Sequence, residues 1–182
     1  MSRKAILYIA ASLDGYIAAP GDDLSFLSMD AEGEDYGYET FMEGIGTMVI
    51  GRKTWDWVMT HVPEWPHPDV ETIVVTRTAR ADSGNVHYFT GDPRSLVLRL
   101  KSVEGKDIFI NGGAEIVNAL LMDSLIDEFV IFVFPVLLGD GVRLWQDGRP
   151  QDKLVLTGSK AWPGGVVELR YRRQAAENNY KP

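Results

Sequence analysis

Three short stretches place residues that can hold an anion where the chain changes character. "VIGRKTW" (49–55) puts Gly51 after a β-prone run and then offers Arg52, Lys53 and Thr54 at the start of a helical pattern. "VVTRTAR" (74–80) follows a second such run with Thr76 and Arg77. "DIFINGGAEIVNALL" (107–121) delivers Gly112 and Gly113 to Ala114, Glu115 and Ile116. The free backbone N–H groups and the dipole at a helix start favour an anion. Glycine has no side chain to keep a ligand from the backbone. Taken singly, each stretch reads as an ordinary turn or a solvated helix start. Taken together, three strand-to-helix junctions suit one extended phosphorylated ligand at the carboxyl edge of a sheet. The G-x-G-x-x-G dinucleotide fingerprint is absent.

The elements that must position these residues follow from periodicity. Runs rich in β-branched and aromatic residues predict strands over 4–12, 47–51, 71–77, 85–89, 106–111, 126–138, 154–162 and 165–173. Helical patterns lie over 35–45, 53–61, 92–103 and 113–125. Asp92 is placed to cap the third of these, with Pro93 at its first position. Strand and helix alternate through the first two thirds, and the last third is strand on strand. The expected fold is therefore α/β, with a mostly parallel central sheet and an antiparallel hairpin at its C-terminal edge. All 182 residues read as one domain, with 174–182 as a polar, frayed tail. The segment 19–35 is long and acidic, which predicts a functional loop that closes over the substrate side and orders on binding.

Composition narrows the partners. The formal net charge is −8, which argues against bulk nucleic-acid binding and makes the few basic clusters informative. No apolar run is long enough to span a bilayer, so no membrane partner is expected. The N-terminal apolar run reads as a first strand, not as a signal sequence. With no cysteine, thiolate chemistry and disulfides are excluded, and a cytoplasmic location fits. His61, His67 and His87 are dispersed without metal-ligand spacing, so no metal is expected. His61 and His67 read as exposed loop residues.

"VIGRKTW", "IVVTR" and "IFINGGAEIV" occur in the order and approximate spacing found in the dihydrofolate reductase-like superfamily. "AASLDGYIA" and "FPVLLGDGVRLW" narrow the match. With them the chain resembles the C-terminal reductase domain of the riboflavin-biosynthesis deaminase/reductase and its stand-alone bacterial relatives, over roughly residues 4–172. The resemblance implies a dihydrofolate reductase-like three-layer fold that uses NADPH to reduce a planar heterocycle. It assigns the cofactor phosphates to Gly51, Arg52, Lys53 and Thr54. Thr76 and Arg77 would meet the adenosine ribose and its 2′-phosphate. Gly112, Gly113, Ala114, Glu115 and Ile116 would line the pyrophosphate, with a Gly-Gly bond that is often cis. Ala10, Ala11 and Ile17 would flank the nicotinamide. A homodimer is a further implication.

The acceptor side is less well marked. Dihydrofolate reductases carry a carboxylate near the helix before "GRKTW", and Asp35 lies about there. Asp35 is thus the candidate catalytic residue; its plain alternative is a helix cap. Asp14 either orders the turn at Gly15 or touches substrate or nicotinamide. Phe26 and Tyr38 are candidate substrate contacts, although aromatics at helical spacing are more often core. The tryptophan that follows Leu-Pro in dihydrofolate reductases is replaced here by "DDLSFL". Three readings remain: a riboflavin-type reductase, a true dihydrofolate reductase, and a nucleotide-binding protein without catalysis.

Overall fold

Strand β1 (Ala5–Ser12) alternates two kinds of side chain, and the alternation sets the architecture. Ala5, Leu7 and Ala11 enter one core cluster, while Ile6, Tyr8 and Ala10 enter another. A strand that buries both faces belongs in the middle of a sheet. The computed structural model, which describes residues 3–29 and 34–174, places it there. β1 pairs in parallel with β6 (Asp107–Gly112) and with β7 (Glu128–Phe134).

The remaining strands are β2 (Tyr16–Ala18), β3 (Ile45–Gly51), β4 (Glu71–Val75), β5 (Val86–Phe89), β8 (Val142–Arg143), β9 (Leu154–Ala161) and β10 (Val167–Arg173). The main sheet runs β5-β4-β3-β6-β1-β7-β10-β9. It is parallel from β5 to β7 and antiparallel across β7, β10 and β9. β2 and β8 form a separate antiparallel pair. The predicted parallel sheet with its C-terminal hairpin is therefore present.

The two faces differ in chemistry. Helices α3 (Pro93–Lys101) and α4 (Ala114–Met122) cover one with aliphatic residues. Leu96, Val97, Val117 and Leu120 meet Leu7, Val49, Ile108 and Ile110 there. Asp92 caps α3 by accepting the Arg94 N–H at 3.0 Å, with Pro93 at its start. Helices α1 (Tyr38–Glu43) and α2 (Arg52–His61) cover the other face with rings. Tyr8 stacks on Phe41 with centroids 4.5 Å apart, and Phe41 meets Phe109 edge-on at 5.0 Å. Trp55 of α2 packs on Trp65 at 4.7 Å.

Three expectations need correction. The helix expected over 35–45 is only Tyr38–Glu43, because Gly37 enters it at φ 78° and Gly44 ends it, releasing Ile45 to β3. The strand expected over 126–138 stops at Phe134, before Pro135, which has no N–H for a ladder. His67 is not an exposed loop residue. It is half-buried, with its Nε2 2.9 Å from the Tyr38 hydroxyl. In the segment 19–35, Ser25–Met29 forms a 3-10 turn, while residues 30–33 lie outside the described residues, as does nearly all of the predicted tail.

Candidate functional site

Parallel strands that end together expose their last residues together. Gly51 closes β3 opposite Val75, the last residue of β4, and Ile50 pairs with Gly112 of β6. The two glycine junctions touch. A Cβ at Gly51 would stand 3.3 Å from the Gly113 nitrogen and from Ile116 Cδ1. A Cβ at Gly113 would stand 3.1 Å from Thr54 Oγ1, so the hydroxyl at the start of α2 lies against the start of α4. Gly112 sits at φ 99°, a region that favours glycine, and the Gly112–Gly113 bond is cis, as the resemblance implies. Glycines 51 and 113 cap α2 and α4 without a side-chain hydrogen bond. Two helix N-termini of the same polarity therefore meet at one strip of bare backbone.

The other predicted cofactor residues divide by exposure. Lys53, Arg77 and Glu115 are exposed, and Arg52 and Thr54 are partly so. The Arg77 side chain is 94% exposed, and its pairing with Glu115 is loose at 3.5 Å. Thr76 is buried; its hydroxyl accepts the Thr78 N–H and donates to the Thr78 carbonyl, each at 3.2 Å, which fixes the turn. Ala114 and Ile116 are buried, and the Ile116 N–H already bonds the Gly113 carbonyl. Ala11 is buried in the aliphatic core, which Ile17 joins from its edge, whereas Ala10 lies on the ring-lined face.

Two residues that the sequence reading passed over join this edge. Asp56 accepts from Arg52 at 2.7 Å and from Arg80 at 3.1 Å. Burial works to raise the Asp56 pKa, but the two arginine bonds outweigh it and hold the carboxyl below its ordinary range. Asn118, buried in α4, donates to the Ala114 and Leu144 carbonyls and accepts the Gln146 N–H. It ties the start of α4 to the chain after β8. Spacing gives some signal for Asp56, four residues past Arg52 on a helix; Arg80 closes the basic stretch "VVTRTAR", and nothing local marks Asn118.

On the acceptor side, Asp35 is exposed and its carboxylate accepts the Gly37 N–H at 2.8 Å and the Glu39 N–H at 3.2 Å. Those bonds lower its pKa, so at neutral pH it is a carboxylate that steadies the turn into α1. Asp14 accepts from Ser12 Oγ and from the Leu138 and Gly139 N–H groups, straps the β1–β2 turn to the chain after β7, and is lowered to about 2. Phe26 is 5% exposed and packs edge-on to Phe134, so its ring belongs to the core. Tyr38 is half-buried among Tyr8, Phe41 and Phe109, and burial pushes its hydroxyl up to about 12. Phe26 and Tyr38 pack in different core clusters, while Asp14 and Asp35 hydrogen-bond different turns. Among the described residues, no group of three or more His, Asp or Glu is arranged to hold a metal ion.

Fold and edge together define a dihydrofolate reductase-like α/β protein. The profile of the RibD C-terminal domain matches residues 3–167, and the chain belongs to that reductase-type family. The uncharacterized protein YwjB of Bacillus subtilis is 38% identical over 175 residues, covering 95% of this chain and 99% of that one. The 2,5-diamino-6-ribosylamino-4(3H)-pyrimidinone 5′-phosphate reductase of Candida glabrata is 28% identical over 103 residues, or 50% of this chain and 41% of that one. The crystal structure of a riboflavin biosynthesis protein of Shewanella sp. PV-4, described as putative, superposes with a TM-score of 0.84 at 28% identity, covering 96% and 100% of the two chains.

Proposed function

We propose that the protein is an NADPH-dependent oxidoreductase that reduces a planar heterocycle, of the type of 5-amino-6-(5-phosphoribosylamino)uracil reductase in riboflavin biosynthesis. One observation carries the reading: Gly51, Gly112 and Gly113 meet beside Thr54, where two helix starts come together and the glycines add no side chain of their own. That strip fits a pyrophosphate. Arg52, Lys53 and Thr54 would hold it from α2, and Gly112 and Gly113 from the start of α4. The turn fixed by Thr76 would take the adenosine ribose. When bound, the cofactor supplies the hydride. The chain's part is to hold the nicotinamide beside Ala10 and keep the acceptor in register with it. The Candida glabrata relative supports a ribosylaminopyrimidine as the acceptor class.

Tryptophan quenching on titration with NADPH and with NADH tests the reading, followed by turnover on a panel of heterocycles. Expected are tighter binding of NADPH and oxidation of it by a ribosylaminopyrimidine phosphate. Binding of neither nucleotide would sink the proposal, and turnover of dihydrofolate would move it to a true dihydrofolate reductase. The capping role of Asp35 favours one rival, a nucleotide-binding protein without turnover; it predicts NADPH binding with every acceptor inert. We place the protein in the cytoplasm, for cell fractionation to check. We also propose a homodimer through β9, an edge strand with Leu154 and Leu156 exposed. A monomeric mass by light scattering would remove it.

A further inference from the structure

The cations at the carboxyl edge are held in two ways. Arg77 reaches into solvent with a loose partner. Arg80, five residues beyond the end of β4, is folded back onto α2. Its guanidinium meets Asp56 and lies 5.6 Å from the ring centroid of Tyr88 in β5. The other oxygen of Asp56 holds Arg52, one helical turn earlier. One carboxylate thus bridges two guanidiniums from segments 24 residues apart in the Asp56–Arg80 pairing. Each guanidinium carries five N–H donors, and the recorded bonds to Asp56 use one from each. The rest can serve a ligand.

We propose that Asp56 holds Arg52 and Arg80 as a preformed two-guanidinium clamp for a phosphate monoester, and that this clamp, rather than Arg77, makes the protein prefer the phosphorylated dinucleotide. The proposal rests on the cofactor reading above and adds to Arg52, which the resemblance names, two residues that it does not, Asp56 and Arg80. Fixing two arginines before the ligand arrives removes much of the ordering cost of binding. Planar guanidiniums match a phosphate's oxygens in a way that a flexible ammonium such as Lys53 does not. Two arginines and one aspartate leave a net single positive charge, against a monoester carrying about −1.5 to −2 near pH 7.

Simple charge counting makes the opposite prediction for Asp56. Removing a negative group from beside a phosphate ought to tighten binding. A clamp that has lost its hinge ought to weaken it. The test measures dissociation constants for NADPH, NADH and adenosine 2′,5′-bisphosphate on wild type, Asp56→Asn, Arg80→Gln and Arg77→Gln. Arg80→Gln is expected to weaken NADPH and the bisphosphate by about tenfold or more, as for a lost charge-assisted hydrogen bond, with NADH changed less than about twofold. Asp56→Asn should weaken both phosphorylated ligands, and Arg77→Gln should change the NADPH-to-NADH ratio by less than about threefold. Tighter binding by Asp56→Asn, or an unchanged ratio in Arg80→Gln, overturns the clamp while leaving the reductase reading intact. Clamp-dependent binding of the bisphosphate without turnover of NADPH on any acceptor upholds the clamp and removes the reductase. If wild type binds none of the three ligands, both fall.

Discussion

The two faces of the sheet are built from different materials. Under α3 and α4 the buried contacts are mostly aliphatic, with Phe129 among them. Under α1 and α2 they are rings, several half-buried and carrying polar atoms: Tyr8, Tyr38, Trp65 and His67. The interior of the first face serves as scaffold, with the start of α4 opening at its edge. The second pairs hydroxyl with imidazole and indole with hydroxyl, as in Trp65 Nε1 donating to Thr72 at 3.1 Å.

Substitutions can break that contrast. Leu120→Ala, on the aliphatic face with no exposed surface, should cost about 2–5 kcal/mol in denaturant unfolding. Nucleotide affinity should not change while the variant stays folded. Gly112→Ala should act the other way. Its Cβ would meet Ile9 Cδ1 at an ordinary 3.5 Å, so the cost comes from φ 99°, about 1–2 kcal/mol, with a larger loss in nucleotide binding. A variant that binds as well as wild type would show that this backbone is not the ligand's bed. Tyr38→Phe removes a single hydrogen bond to His67 and should cost about 0.5–1.5 kcal/mol.

Acid sharpens the comparison further. Burial lowers the pKa of His67, so the folded state resists its protonation; the stability this gives is present above the ordinary value of 6.5 and is lost as pH falls below it. Asp14, lowered from 3.8 to about 2, contributes above its ordinary value and loses that contribution as pH falls towards 2. Thermal melts against pH should show the first step vanish in His67→Gln and the second in Asp14→Asn. The smallest effect is expected at Asp35. A general acid contributes about 10²–10⁴-fold. Asp35→Asn, in which a cap replaces a cap, should reduce turnover by less than about tenfold, and a larger drop would restore it as the proton donor.

The parallel sheet and the glycine edge could be read from sequence because their signals are local. β-branched runs, Asp92-Pro93, and a glycine at each strand end state their purpose within a few residues. Other features depend on partners far along the chain. The basic stretch that holds Arg80 is visible locally, but its pairing is not, because Asp56 lies 24 residues away. His67 sat in a Pro- and Trp-rich loop, and only the fold brings Tyr38 to it. Phe26 offered an aromatic ring in a polar segment, and nothing nearby showed that Phe134 would cover it. The two roles open to Asp35 cannot be told apart locally; in the fold its carboxylate accepts two N–H groups at the entry to α1, whose N-cap is Gly37.

The central place of β1 also dictates when the chain can fold during synthesis. Its neighbours are residues 108–110 on one side and 128–134 on the other. The first strand to leave the ribosome must therefore wait for the last parallel strand. At roughly 5–20 residues per second that is a delay on the order of ten seconds. "AILYIAAS" has no partner until residues 107–112 are made, and it stays a half-paired edge until 128–134 follow. Nascent chains stalled before residue 134 should be cut readily by protease, and those stalled beyond residue 174, once clear of the exit tunnel, should resist.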